Sequence, residues 1–187
     1  MRIISGKYKG RQLASFEADH IRPTMDRIKE TLFNKLRHYT DGARVLDLFA
    51  GTGNLGLEAL SRDASHVTFV EVHPKSLQII VQNIEILKID DSEFALIKKD
   101  VMKYLRTENK QQFDLILIDP PFTEKMADEV MSALSQSTVF HDTTIIAIEA
   151  IKQEIIGDTY GELICYDRQN YGDKSLSLFR KKDTINA

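Results

Sequence analysis

The chain has 187 residues, 42% of them hydrophobic and 28% charged, with a formal net charge of −3. That length encloses one core with its sheet and helices, and no apolar run approaches the roughly 20 residues that cross a membrane. A single cysteine, Cys165, excludes an internal disulfide and fits a reducing cytoplasm, as does a start without the apolar stretch of a secretory signal.

The charge is uneven. Residues 1–37 carry nine Lys/Arg against four Asp/Glu, whereas the rest carries sixteen against twenty-four. A basic N-terminal segment on an acidic body suits contact with RNA phosphates on one face, although a solvated basic stretch looks the same. The segment opens with Arg2-Ile-Ile4 and Arg11-Gln-Leu13 flanking Ser5–Gly10, a pattern that reads as a β-hairpin turning at Gly6 and Gly10. Lys7, Lys9 and Arg11 interleave there with Tyr8, cations for phosphates and a ring for a base. A helix follows, with Thr24 read as its N-cap and Met25, Ile28, Leu32, Phe33, Leu36 and Tyr39 as its core stripe. Arg22 and Arg27 lie at its start, placed for phosphate or for pairing with Asp26 or Glu30.

Next, Arg44-Val-Leu-Asp-Leu-Phe-Ala-Gly-Thr-Gly-Asn-Leu-Gly56 reads as strand, glycine turn and helix. Gly51 and Gly53 let the backbone approach a ligand, and the helix beyond points its free N–H groups at the same place. Asp47 stands inside the strand, where a carboxylate needs a partner. Glu71 closes the next strand about 20 residues after the first glycine, the place of a ribose-binding acid. A helix with Leu77, Ile80, Val81, Ile84 and Leu87 on one face leads to the strand Phe94–Ile97 and to Asp100, an N-cap of the helix Val101–Leu105.

The strand Phe113–Ile118 delivers Asp119-Pro-Pro-Phe122. An acid, a stiff chain with open carbonyls and an aromatic ring then meet at a strand's carboxyl end, where open α/β sheets bind ligands. Those parts suit a planar base bearing an NH2 group. A helix from Glu124 to Leu134 and a fifth strand, Thr144–Ile148, follow. Glu162–Tyr166 and Ser175–Phe179 then alternate with no helix between, the mark of an antiparallel sheet edge, and Gln169–Asp173 between them reads as a turn that brings Tyr171 over the active face or as a plain hairpin tip. The whole is an α/β, Rossmann-like doubly wound sheet of seven strands with a reversed edge strand and an N-terminal β-hairpin extension. We read it as one domain, 1–187, with the hairpin in 1–21 and the core in 22–187. The five histidines show no metal-ligand spacing and Cys165 has no C-x-x-C partner, so no metal is expected.

Asp47-x-Phe-Ala-Gly-x-Gly53 followed by Asp119-Pro-Pro-Phe122 resembles the amino-directed, S-adenosylmethionine-dependent methyltransferases. More narrowly, Arg2-Ile-Ile-Ser-Gly6, Arg22-Pro-Thr-x-Asp-Arg27-x-x-Glu-Thr-Leu-Phe-Asn34, Gly56-Leu-Glu-Ala-Leu-Ser-Arg62 and Tyr171-Gly-Asp173 resemble the bacterial RsmD family, over nearly the whole chain. The resemblance implies methylation of guanine N2 in 16S ribosomal RNA, and the low net charge favours an assembled or assembling small subunit, where protein contacts add to those with phosphates. It implies that S-adenosylmethionine lies against Asp47, Phe49, Ala50, Gly51, Gly53 and Asn54, with Glu71 and Val72 at the ribose, Asp100 and Val101 at the adenine, and Asp119 beside the methyl. Asp119, Pro120, Pro121 and Phe122 would form the catalytic set and Arg22, Pro23, Thr24 and Arg27 the RNA side, to which the spacing reading adds Lys7, Lys9, Arg11 and Tyr171. Rival readings are a DNA adenine-N6 or protein glutamine-N5 methyltransferase, a nicotinamide dehydrogenase, and a ribosome-associated nucleoside-binding protein without turnover.

Overall fold

The computed structural model describes residues 1–16, 23–107, 111–121 and 126–182, with only the backbone of residues 23–25. In chain order the elements are α1 (Pro23–Lys35), α2 (Arg37–Thr40), β1 (Arg44–Leu48), α3 (Asn54–Ser61), β2 (His66–Glu71), α4 (Pro74–Leu87), β3 (Phe94–Lys98), α5 (Val101–Arg106), β4 (Phe113–Ile118), α6 (Ala127–Ser135), β5 (Phe140–Ile151), β6 (Thr159–Tyr160), β7 (Leu163–Tyr171) and β8 (Lys174–Lys181).

All eight strands join one sheet in the order β3-β2-β1-β4-β5-β8-β7-β6. β1 to β5 run parallel, and their near-continuous apolar sequences follow from helices covering both faces. Alternation along each strand sorts the core in two. Val45, Leu115, Leu117, Ala147 and Leu176 meet Phe33, Leu57 and Ile80 on one face. Leu46, Leu48, Ile116, Ile118, Ile146 and Ile148 meet Met102, Val130 and Leu134 on the other. The seven expected strands are present, and the two-residue β6 adds an eighth at the rim. β8 and the short β6 are the reversed strands, β8 antiparallel to both β5 and β7 between which it lies and β6 antiparallel to β7 at the rim.

Some boundaries differ from the sequence expectation. β5 starts at Phe140 rather than Thr144, because Phe140 pairs with Phe113 across a register shift. β7 runs on through Gln169, Asn170 and Tyr171, whose polar side chains an exposed strand accepts; the turn is only Gly172-Asp173, with Gly172 at φ 61. α1 starts at Pro23, a favoured first-turn residue, so Thr24 lies inside the helix rather than capping it. The helix stops at Lys35 and α2 restarts at Arg37, which turns Tyr39 out to 42% exposure, whereas Ile28, Leu32, Phe33 and Leu36 are buried. Val81 likewise leaves the buried face of α4, where Ile80, Ile84 and Leu87 stay. The α6 helix begins at Ala127; Glu124 lies outside the described residues.

The N-terminal loop closes on itself through an Arg2–Gln12 antiparallel bridge, with Gly6 and Gly10 at φ 84 and 81. It packs on α3, not on the sheet edge. Glu58, fully buried, accepts from the backbone N–H groups of Ile4 (2.8 Å) and Ser5 (3.1 Å) and pairs with Lys29 and Arg62. Ser61 accepts Lys7 N–H at its carbonyl and Tyr8 N–H at its hydroxyl, which itself donates to the Ser5 carbonyl. The Gly56–Arg62 motif therefore supplies the seat for this loop. Burial pulls the Lys29 amine below its usual range against the Glu58 charge; its ammonium also donates to the Arg2 carbonyl and to Asn54 Oδ1.

Candidate active site

A cleft of about 760 Å³ opens at the carboxyl ends of β1, β2 and β4. Its floor is the turn after β1. Phe49 is held at φ 60, a left-handed conformation that is rare and strained for an aromatic residue, while Gly51 and Gly53 take φ 54 and 83 without that cost. Gly56 meets a different demand: a Cβ there would lie 2.3 Å from Phe69 and 2.9 Å from Asp47 Oδ2, so only glycine brings α3 this close to the sheet. Asp47 Oδ2 accepts the Gly56 N–H at 2.8 Å, which gives the in-strand carboxylate its partner.

Glu71 holds the rim together. Its Oε2 accepts from Gly51 N–H, and its Oε1 accepts from Val72 and His73 N–H, each at 2.8 Å. Two carboxylate oxygens offer about four acceptor sites, so a ligand hydroxyl still finds room. Asp100 caps α5 through Lys103 N–H at 2.9 Å, as the sequence reading expected, and lines the cleft with Val101. Ala50, Asn54 and Val72 line it too.

Asp119, Pro120 and the exposed Pro121 form the far wall. Phe122, expected to stack on a base, lies outside the described residues. Asp119 Oδ1 is sealed from solvent and has no hydrogen-bond partner among the described residues. Burial is the main force pushing the Asp119 carboxyl above the usual carboxylate range; the Glu149 charge adds to it and Lys174 opposes it. Burial likewise pushes Asp47 up to about 7, eased by the Gly56 N–H and reinforced by Asp119 and Glu71. Three crowded carboxyls and an orphaned buried oxygen make a cleft that suits a cationic ligand and a hydrogen-bond donor.

A family profile described as "Conserved hypothetical protein 95" matches residues 1–180. The "Ribosomal RNA small subunit methyltransferase D" of Haemophilus influenzae is 36% identical over 155 residues, 82% of this chain and 80% of its own. The Escherichia coli (strain K12) protein of the same name is 34% identical over 150 residues, 80% and 74% of the two chains. The chain belongs to the RsmD family of methyltransferases. Among solved structures, "Putative methyltransferase yhhF from Escherichia coli" superposes at a TM-score of 0.85 with 30% identity, over 97% of both chains.

The RsmD signatures divide by place. Lys9, Arg11 and Arg27 are exposed. Lys7 is tied to Glu93 at 2.6 Å and stands over the Tyr8 ring at 5.0 Å, so it is less available than its spacing implied. Arg22 and the side chains of Pro23 and Thr24 fall outside the described residues. Tyr171 sits at the cleft end of the sheet, packed on the core face with its hydroxyl donating to Gln169. Sequence reasoning missed Glu149 and Lys174, which form an ion pair beside Asp119. The signal was there: Glu149 ends the apolar run Ile145–Ile148 as Asp119 ends Leu115–Ile118. Among the described residues no group of acids, histidines and cysteine could hold a metal ion, and no helix is long and apolar enough to cross a membrane.

Proposed function

We propose that the protein transfers a methyl group from S-adenosylmethionine to N2 of a guanine in 16S ribosomal RNA, acting in the cytoplasm on an assembled or assembling small subunit. The observation that carries this reading is the buried, unpartnered Asp119 Oδ1 on the wall of an acid-lined cleft. Bound there, S-adenosylmethionine supplies a methyl group already activated by its sulfonium. The turn from Phe49 to Gly53 would hold the methionine part, Glu71 the ribose hydroxyls, and Asp100 with Val101 the adenine. As N2 bonds to the methyl carbon, the S–CH3 bond would break and release S-adenosylhomocysteine. Asp119 and the Pro120 carbonyl, accepting from the target NH2, would hold the nitrogen and stabilise its positive charge until one N2 proton is lost to solvent. The target base must be unpaired or flipped, because a paired amino group cannot reach this wall. Residues 1–187 act as one catalytic unit, with the loop within 1–21 on the RNA side.

A nicotinamide dinucleotide fits less well, since its phosphates would face Asp47, Glu71 and Asp119 with only Lys99 as a cleft-lining Lys or Arg among the described residues. The test is transfer of labelled methyl to unmodified small subunits, naked 16S RNA and DNA in parallel. N2-methylguanosine in digested 16S RNA is the expected product. Label only in DNA, or none with cofactor still bound, overturns the reading.

A further inference from the structure

The catalytic wall continues past Asp119. β4 and β5 run parallel with Ile118 beside Ile148, so the next residues, Asp119 and Glu149, stand side by side on neighbouring strands, about 5 Å apart in the hydrogen-bonding direction. Alternation puts both side chains on the face of Leu117 and Ala147, and puts Lys174 on that face with Leu176 one strand further out. The β8 residue opposite Glu149 is Leu176, while Lys174 stands opposite Ile151 and reaches back to the Glu149 carboxylate, so the charges run carboxylate, carboxylate, ammonium along a diagonal. Glu149 is largely buried, its side chain 12% exposed, and one of its oxygens takes the Lys174 ammonium. The other oxygen is uncommitted among the described residues. Asp119 feels this neighbour, whose charge holds its proton more tightly.

We infer that Glu149 is a specificity-determining residue that accepts the N1–H of the target guanine, next to the N2 amino group that Asp119 accepts. The inference rests on the methyl-transfer reading above. Guanine presents N2–H, N1–H and the O6 carbonyl in sequence along one edge, and the row of two acceptors and a cation complements that order. Adenine sets an amino group beside a bare N1 lone pair, which Glu149 repels. The same holds for 2-aminopurine, which keeps the reactive amino group but lacks N1–H and O6. A carboxylate so placed rejects wrong bases while leaving the chemistry at N2 to Asp119.

The test uses small subunits reconstituted with 16S RNA bearing guanine or 2-aminopurine at the methylated position, with wild-type protein and Glu149→Gln. Glutamine keeps the shape and an oxygen for Lys174, and turns an N–H toward N1. Wild type is expected to prefer guanine by at least about 100-fold in kcat/KM. In Glu149→Gln that preference collapses to within about tenfold or inverts, with the rate on 2-aminopurine rising in absolute terms. A glutamine variant that slows both substrates equally overturns the inference. Glu149→Asp guards against misfolding: it retains the charge, so it must still reject 2-aminopurine even if slow, and a relaxed preference there also overturns it. Absence of label on guanine subunits with wild type would instead remove the methyl-transfer reading itself.

Discussion

Asp119 has a carboxyl whose proton is held by burial and by Glu149, so the ionised form that the proposed chemistry requires appears only above the usual carboxylate range. Activity should therefore fall on an acid limb that lies above that range, measured as kcat/KM against pH. Asp119→Asn should erase the limb and lower turnover by about 10²–10³-fold, the scale of losing one aligned charge-stabilising group; Asp119→Ala should go further while leaving cofactor affinity, read by titration calorimetry, largely intact. Full activity in either variant would remove Asp119 from the chemistry. Asp47 makes the opposite kind of prediction, about stability. Its folded-state pKa is raised from 3.8 to about 7, so the stability it contributes is complete below 3.8 and is lost as pH climbs through about 7. A gap of that size corresponds to on the order of 4 kcal/mol. Asp47→Asn keeps an acceptor for Gly56 N–H and removes the charge, so in ligand-free protein its melting temperature should overtake wild type between pH 5 and 8. A constant difference across that range would show that the carboxyl is not proton-linked to folding.

At the scale of elements, the N-terminal loop and α3 act as one piece. A Cβ on Gly6 would lie 1.6 Å from the Ser61 carbonyl oxygen, so Gly6→Ala must lift the loop from its seat. RNA binding in a filter assay should weaken more than S-adenosylmethionine binding by titration, because of this segment only Met1 and Phe16 line the cleft. Ser61→Ala deletes the Tyr8 and Ser5 hydrogen bonds and should cost about 1–3 kcal/mol in urea unfolding. These elements also show where sequence reading works. The strand–turn–helix around Gly51 was legible because glycine spacing, an in-strand acid and a helical stripe coincide in one short stretch. The seat for the loop was not, because Glu58, Ser61 and Arg62 look like ordinary helix surface until residues about 50 positions away fold onto them. Tyr39 and Val81 were misplaced because periodicity counts residues and cannot see a helix stop at Lys35 or where the opposing face ends. Glu149 was passed over for a related reason: one acid at a strand end gains meaning only from its neighbour across the sheet.

At the scale of the molecule, the basic N-terminal segment shrinks once its partners are counted. Arg2 pairs with Asp26, Lys7 with Glu93, Lys29 with Glu58 and Lys35 with Asp167, which leaves Lys9, Arg11, Arg27 and Arg37 without ion pairs among the described residues. About four phosphate contacts to unpaired RNA predict a slope near −3 in log K against log salt; a slope steeper than about −6 would mean that other surfaces carry the binding. The sheet itself has a consequence for how the protein is made. β8 follows every other strand in the chain, yet it lies between β5 and β7 and hydrogen-bonds to both. A nascent chain that has not yet released residues 174–181 carries an open hydrophobic edge on β5 and lacks Lys174, so the Glu149–Lys174 ion pair and the sheet are finished by the same event. Synthesis thus delivers a chain that stays vulnerable to aggregation and proteases until the moment it becomes competent.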